Sequence, residues 1–275
     1  MSVDHEFVNR RTLSRTQFDT TARWVPCKQL QTVPVYHPLM TDGTCFLCGE
    51  TYTKRGMTRH LRSCLPEEQT GQKPVTVLRI AGEHRSDYWI HVAVDATTTL
   101  GTLDAFLRGF WLECCGHMSA FTLGDVRFVR PYSEEEMAAR LGIRRESMDT
   151  DFELVQPAVD EEFGYEYDFG TTTALVVRVV EKGHWDLADL AATSEREDSV
   201  EQDGVVLLTR NDQRDRECAT CGDPATEICQ TCLRTRGPEA LFCEECAEAH
   251  EAECDRPAYL PVVNSPRSGV CGYTG

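Results

Sequence analysis

The residues with the most chemistry to offer are cysteines and histidines. The 275-residue chain holds 14 Cys and 8 His. One set reads Cys45-x2-Cys48-x11-His60-x3-Cys64. The other reads Cys218-x2-Cys221-x7-Cys229-x2-Cys232-x10-Cys243-x2-Cys246-x3-His250-x3-Cys254. A two-residue gap puts two thiolates on one tight turn. A three-residue gap puts two ligands one helical turn apart. Four such groups converge on one tetrahedral zinc. Four ligands in the first set and eight in the second predict three zinc ions. Each shell is filled by protein, so the zinc is structural and no coordination position stays open for a water. Spacing alone leaves the pairing of the eight C-terminal ligands open.

Lys54, Arg55, Arg59 and Arg62 crowd around the first set, opposed only by Glu50. Basic side chains on such a helix contact phosphates or guanine edges. Cys114, Cys115 and His117, in LECCGHMSAF, hint at a further thiol or metal site. Adjacent cysteines cannot face one way on a regular element, and these follow an apolar helix face. The reading is therefore two buried small hydrophobes, with His117 a hydrogen-bonded helix-end residue. Cys27 and Cys271 stay unassigned. Glu166 and Asp168 share one side of a strand, but no nucleophile pattern accompanies them. P-loop, dinucleotide, metalloprotease, serine-hydrolase and zinc-deaminase signatures are all missing. An enzyme is not expected.

The elements that must carry these residues read as α+β. VTVLRIAG and YWIHVAVD form a hairpin around EHRSD. Thr99 or Thr102 caps a helix bearing Leu103, Phe106, Leu107, Phe110 and Trp111 on one face. Strands follow at Ser119–Leu123, Val126–Val129, GYEYDFG, TALVVRVVEKG and VVLLTR, with a short helix at SEEEMAARLG. The expected organisation is an irregular segment 1–41, a zinc finger 42–65, a linker 66–74 and an α+β domain 75–185. An acidic linker 186–204, a double-zinc module 205–256 and an extended tail 257–275 complete it.

Formal net charge is −17, and only four residues are Lys. Residues 1–65 carry nine basic and five acidic groups, net +4; residues 66–275 carry 19 and 40, net −21. Acid excess with few lysines suits a cytosol at molar salt, where screening acts within about 3 Å. A halophilic, haloarchaeal source is expected. No apolar run is long enough to span a bilayer, and no signal sequence opens the chain. The expected compartment is the cytoplasm, where cysteines bind zinc rather than pair.

Three resemblances add to this reading. CFLCGETYTKRGMTRHLRSC resembles the Cys2His2-type finger in its Cys2HisCys variant, with Tyr52 and Met57 at the two core positions and one residue fewer before His60. The C-terminal set resembles B-box and related cross-brace modules. That resemblance implies that Cys218, Cys221, Cys243 and Cys246 share one zinc, and Cys229, Cys232, His250 and Cys254 the second. It implies protein contacts too, and the acidic surroundings disfavour DNA at this end. TTLGTLDAFLRGFWLECCGHMSAFTL, followed by YEYDFGTTTALVVRVVEKG, resembles the plasmid ORF-3-like or transposon passenger family over residues 75–185. There the resemblance implies an α+β domain, a mobile-element setting and no known activity. Here Thr171-Thr172-Thr173 follows the Tyr-Asp-Phe-Gly turn where many members have Gly-Asp-Gly-Trp. Together these readings predict a non-enzymatic zinc protein, accessory or regulatory, touching DNA or RNA through the finger. A protein–protein adaptor acting through the C-terminal module is the alternative.

Overall fold

The computed structural model describes residues 41–130, 144–155, 157–192 and 201–275. The irregular segment expected over 1–41 falls almost wholly outside the described residues, as do the short helix expected at SEEEMAARLG and the middle of the acidic linker.

The chain is α+β, as expected. The hairpin is β3 (Val75–Gly82) and β4 (Trp89–Asp95). Its strands are apolar nearly throughout because both of their faces are covered. On β4, Ile90, Val92 and Val94 point into one core, and Trp89 and Ala93 into a second. That alternation is the two-residue period of a strand.

Over the first core lies α2 (Leu100–Leu107), capped by Thr99, whose hydroxyl accepts from Thr102 N–H. A π-helical turn, Arg108–Leu112, continues it. Leu103, Phe106, Leu107 and Trp111 are buried there against Phe121, Phe163 and Tyr165. On the opposite face lie α1 (Lys54–Cys64) and α4 (Leu187–Ala192), which bury Met57, Leu61 and Leu190 beside Trp185.

The remaining strands are β1 (Asp42–Cys45), β2 (Thr51–Thr53), β5 (Ser119–Leu123), β6 (Val126–Val129), β7 (Arg144–Ser147), β8 (Glu162–Tyr167), β9 (Thr173–Gly183), β10 (Glu201–Gln202) and β11 (Val205–Asn211). The sheet order is β2-β1-β11-β4-β3-β9-β8-β5-β6-β7, with β10 beside β11. Among the described strands only β6 and β7 pair in parallel. A one-turn helix, α3 (Phe152–Val155), seats Phe152 in the core.

Two expected boundaries fall elsewhere. The finger hairpin β1–β2 joins the main sheet, because β1 pairs with β11. Val205–Asn211, expected to open the C-terminal module, is that central β11. The C-terminal module has its own three-stranded sheet of β12 (Glu227–Cys229), β13 (Leu241–Phe242) and β14 (Tyr259–Pro261), with α5 (Gln230–Arg236) and α6 (Glu244–Glu251). The expected extended tail is instead partly sheet, through β14, and partly interior: Ser265, Arg267 and Ser268 are buried.

Candidate metal centres

Zinc–sulfur bonds of 2.3 Å and zinc–nitrogen bonds of 2.0–2.1 Å at tetrahedral angles put ligand atoms about 3.6–3.8 Å apart. That spacing tests each cluster. In the finger, Cys45 Sγ lies 4.0 Å from Cys64 Sγ, and Cys48 Sγ 3.3 Å from His60 Nε2. The Cys45–Cys48 turn closes with Gly49 N–H donating to Cys45 O. Thr53 caps α1 by accepting from Gly56 N–H, and α1 carries His60 and Cys64 round to the turn. Tyr52 stacks on the His60 ring at 4.3 Å, and Met57 is fully buried. Burial draws the His60 pKa down, toward the neutral imidazole that binds metal.

The eight C-terminal ligands form two interleaved groups. Cys218, Cys221, Cys243 and Cys246 converge, as do Cys229, Cys232, His250 and Cys254. This is the cross-brace pairing, not the sequential one. Cys221 and Cys243 sulfurs are 3.7 Å apart. Cys232 Sγ lies 3.3 Å from His250 Nε2 and 3.8 Å from Cys254 Sγ. Burial works to raise the Cys218 thiol, but N–H groups of Cys221, Cys243 and Thr220 outweigh it and bring it down to about 6. Phe242 stacks on His250 at 4.4 Å and fixes the ring. The module's small core is largely its own cysteines and histidine with Ala240, Phe242 and Ala247, and a metal held by them would supply cohesion that so few apolar side chains cannot.

The four basic finger residues split. Arg55 and Arg59 are exposed. Lys54 Nζ donates to Ser86 O at 2.8 Å. Arg62 donates to Val180 O and to Asp160 at 2.7 Å. The last two groups therefore tie the finger to its own sheet.

A fourth set, Cys114, Cys115, His117 and Cys271, also brings four ligand atoms within reach of one another. Cys114 and Cys115 are not buried hydrophobes: Cys115 is exposed and Cys114 half-buried. The π turn ends at Leu112, so both cysteines sit on irregular backbone, where neighbouring side chains can face the same way. Cys271 is 156 residues from Cys115 in sequence, and no local spacing could announce it. The recurring Cys-Gly dipeptide was the available signal. Among the described residues four Cys/His clusters are compatible with metal, and zinc fits their donor types.

No family model matches the chain. No curated protein matches it either. Among solved structures it is similar to a crystal structure of a protein of unknown function from Methanosarcina mazei Go1, at 14% identity and a TM-score of 0.34. The likeness covers 47% of this chain and 66% of that one, just under two thirds of the neighbour's length. No helix among the described residues is long and apolar enough to cross a membrane.

Proposed function

We propose that this chain is a non-enzymatic, zinc-dependent adaptor that binds another protein through its C-terminal cross-brace module. The observation that carries the reading is how the finger is used. Its helix buries Met57 and Leu61 with Val77, Trp89 and Val180 of the main sheet, so the finger is built into the central fold and is not a free-standing reader. Lys54 and Arg62 are engaged in the same docking. At the other end, Glu244, Glu245, Glu248 and Glu251 of α6 are exposed. Beside them lies a depression of about 340 Å³ lined by Thr220, Arg236, Phe242 and Glu253. An acidic, zinc-rigid surface of this kind suits a basic protein face. A cytoplasmic, haloarchaeal and mobile-element setting belongs to the proposal through charge composition and the plasmid ORF-3-like resemblance of residues 75–185.

Arg55 and Arg59 support a second reading, contact with DNA or RNA along the exposed side of α1. One experiment separates the two. Full-length protein and an E244R/E248R variant are crosslinked in cells and their partners identified. The adaptor reading expects a protein recovered by the wild type and lost by the variant. Recovery of nucleic acid alone, or of the same proteins by both forms, overturns it.

A further inference from the structure

We propose that Cys114, Cys115, His117 and Cys271 form a fourth zinc site, a clasp that fastens the C-terminal segment onto the central domain. The donor set is three thiols and one imidazole, the same as in the finger and in the Cys229 cluster. The contacts fit one ion. Cys114 and Cys115 sulfurs are 3.7 Å apart, Cys115 and Cys271 sulfurs 3.8 Å. His117 Nε2 lies 2.9 Å from Cys115 Sγ and 3.2 Å from Cys271 Sγ. Tetrahedral zinc asks for about 3.6–3.8 Å between such atoms. Moving the histidine ring out by about 0.4–0.7 Å satisfies it.

Backbone geometry is a second, independent observation. The dipeptide Cys-Gly occurs four times: Cys48-Gly49, Cys115-Gly116, Cys221-Gly222 and Cys271-Gly272. All four glycines have positive φ, between 72° and 84°. Two of these turns belong to the finger and the Cys218 cluster. The other two both belong to this fourth cluster. A left-handed glycine straight after a ligand bends the chain back around the metal. Cys271 itself has φ 49°, a region that non-glycine residues enter at a cost and mostly where the surroundings demand it.

The surroundings complete a metal site. His117 Nδ1 faces Asp168 Oδ1 at 3.5 Å, the carboxylate–histidine arrangement that orients metal-bound imidazoles. Arg267 Nη2 lies 3.5 Å from Cys114 Sγ and offsets the excess negative charge of three thiolates on one dication. The clasp has something to hold. Ser265 Oγ donates to Trp111 O, Trp111 Nε1 to Asn264 O, and Arg85 to Pro266 O and Ser268 O.

The test is zinc stoichiometry of the full-length chain by native mass spectrometry, with thiol alkylation read by peptide mapping. Four zinc ions are expected in the wild type and three in C115S/C271S. Amide exchange over residues 262–275 should be faster in that variant. In the zinc-loaded wild type, Cys114, Cys115 and Cys271 should resist iodoacetamide and become reactive after chelation. Should the variant not fold, the wild-type alkylation pattern decides alone. Saturation at three zinc ions, with Cys115 and Cys271 alkylated in the zinc-loaded native protein as fast as in urea, overturns the proposal.

Discussion

Arg267 Nη2 donates to Asp168 Oδ2 at 2.6 Å, and the arginine is fully buried. Asp168 sits at φ 63° and also accepts from the N–H groups of Gly170 and Thr171. The turn is therefore shaped around the carboxylate. Burial would raise its pKa, but these donors, Arg267 foremost, hold it below the usual carboxylate range. Arg267 further donates to Thr171 O and Thr173 Oγ1 and stacks over Tyr167 at 4.7 Å. The Tyr-Asp-Phe-Gly turn is thus a receptor for the chain's own tail.

Removing one partner of a buried pair strands the other charge, at about 3–5 kcal/mol. R267A should lower the denaturant midpoint by that equivalent, and D168N by a comparable amount. A double R267M/D168N variant, with both charges gone and an acceptor kept for the Gly170 and Thr171 N–H groups, should recover much of the loss. A double variant no better than R267A would show that the tail is held by its other contacts.

The cross-brace pairing makes a prediction that spacing alone could not. Cys218 and Cys243 belong to one cluster here, but sequential pairing would divide them between two. C218S/C243S should therefore bind one zinc fewer than the wild type, with the Cys229, Cys232, His250 and Cys254 ion retained. Loss of two ions would mean sequential pairing. Cobalt reconstitution reads the same distinction, since the surviving C-terminal site should carry a three-sulfur, one-nitrogen spectrum.

What was legible in the sequence was local. Short β-branched, apolar runs bounded by polar turns marked β3, β4 and β9, and the period-3.6 stripe from Leu103 to Trp111 marked α2 because its apolar face meets a sheet. The twelve ligands of three clusters were legible because thiolate turns and one-turn helical gaps are short-range geometry. Long-range closure was not. Nothing local tells β1 that its partner is β11, or tells Cys115 that its fellow ligand is Cys271. Pro and Gly in the tail signalled irregular backbone, which is true of residues 264–275. They could not signal that Arg267, usually a surface residue type, would be buried against Asp168.

The four finger cations should not behave alike. K54A and R62A remove bonds to Ser86 O, Val180 O and Asp160, so they should loosen the finger and speed amide exchange in α1. The Arg62–Asp160 pair is largely exposed, so the stability change should be small and should shrink further in salt. R55A and R59A should leave exchange unchanged. Measured DNA or RNA binding should fall with R55A/R59A if the second functional reading holds. A drop seen with R62A alone, at unchanged exchange, would contradict this division.

His91 predicts the pH response of the finger–sheet junction. Its ring is fully buried, with Nδ1 2.8 Å from Thr209 Oγ1 and Nε2 3.0 Å from Thr58 Oγ1. Thr58 Oγ1 donates its one proton to Lys54 O, so it accepts from Nε2–H, and Nδ1 accepts from Thr209. Both hydroxyls fit the neutral ring. Burial first, then the Arg79 charge, lowers the pKa from 6.5 to about 3. In the unfolded chain His91 takes up a proton near 6.5, and in the folded chain it does not. Its contribution is complete above pH 6.5 and is lost as pH falls toward 3, since the unfolded state then binds more protons. Between pH 6.5 and 5 the loss is about 2 kcal/mol. An H91Q variant lacks this titration. Zinc release on acidification is common to both proteins, so the comparison cancels it. The stability gap between wild type and H91Q, measured by denaturation in zinc-buffered solution, should narrow by that amount over this window. A gap that stays constant would mean that His91 is protonated in the folded protein.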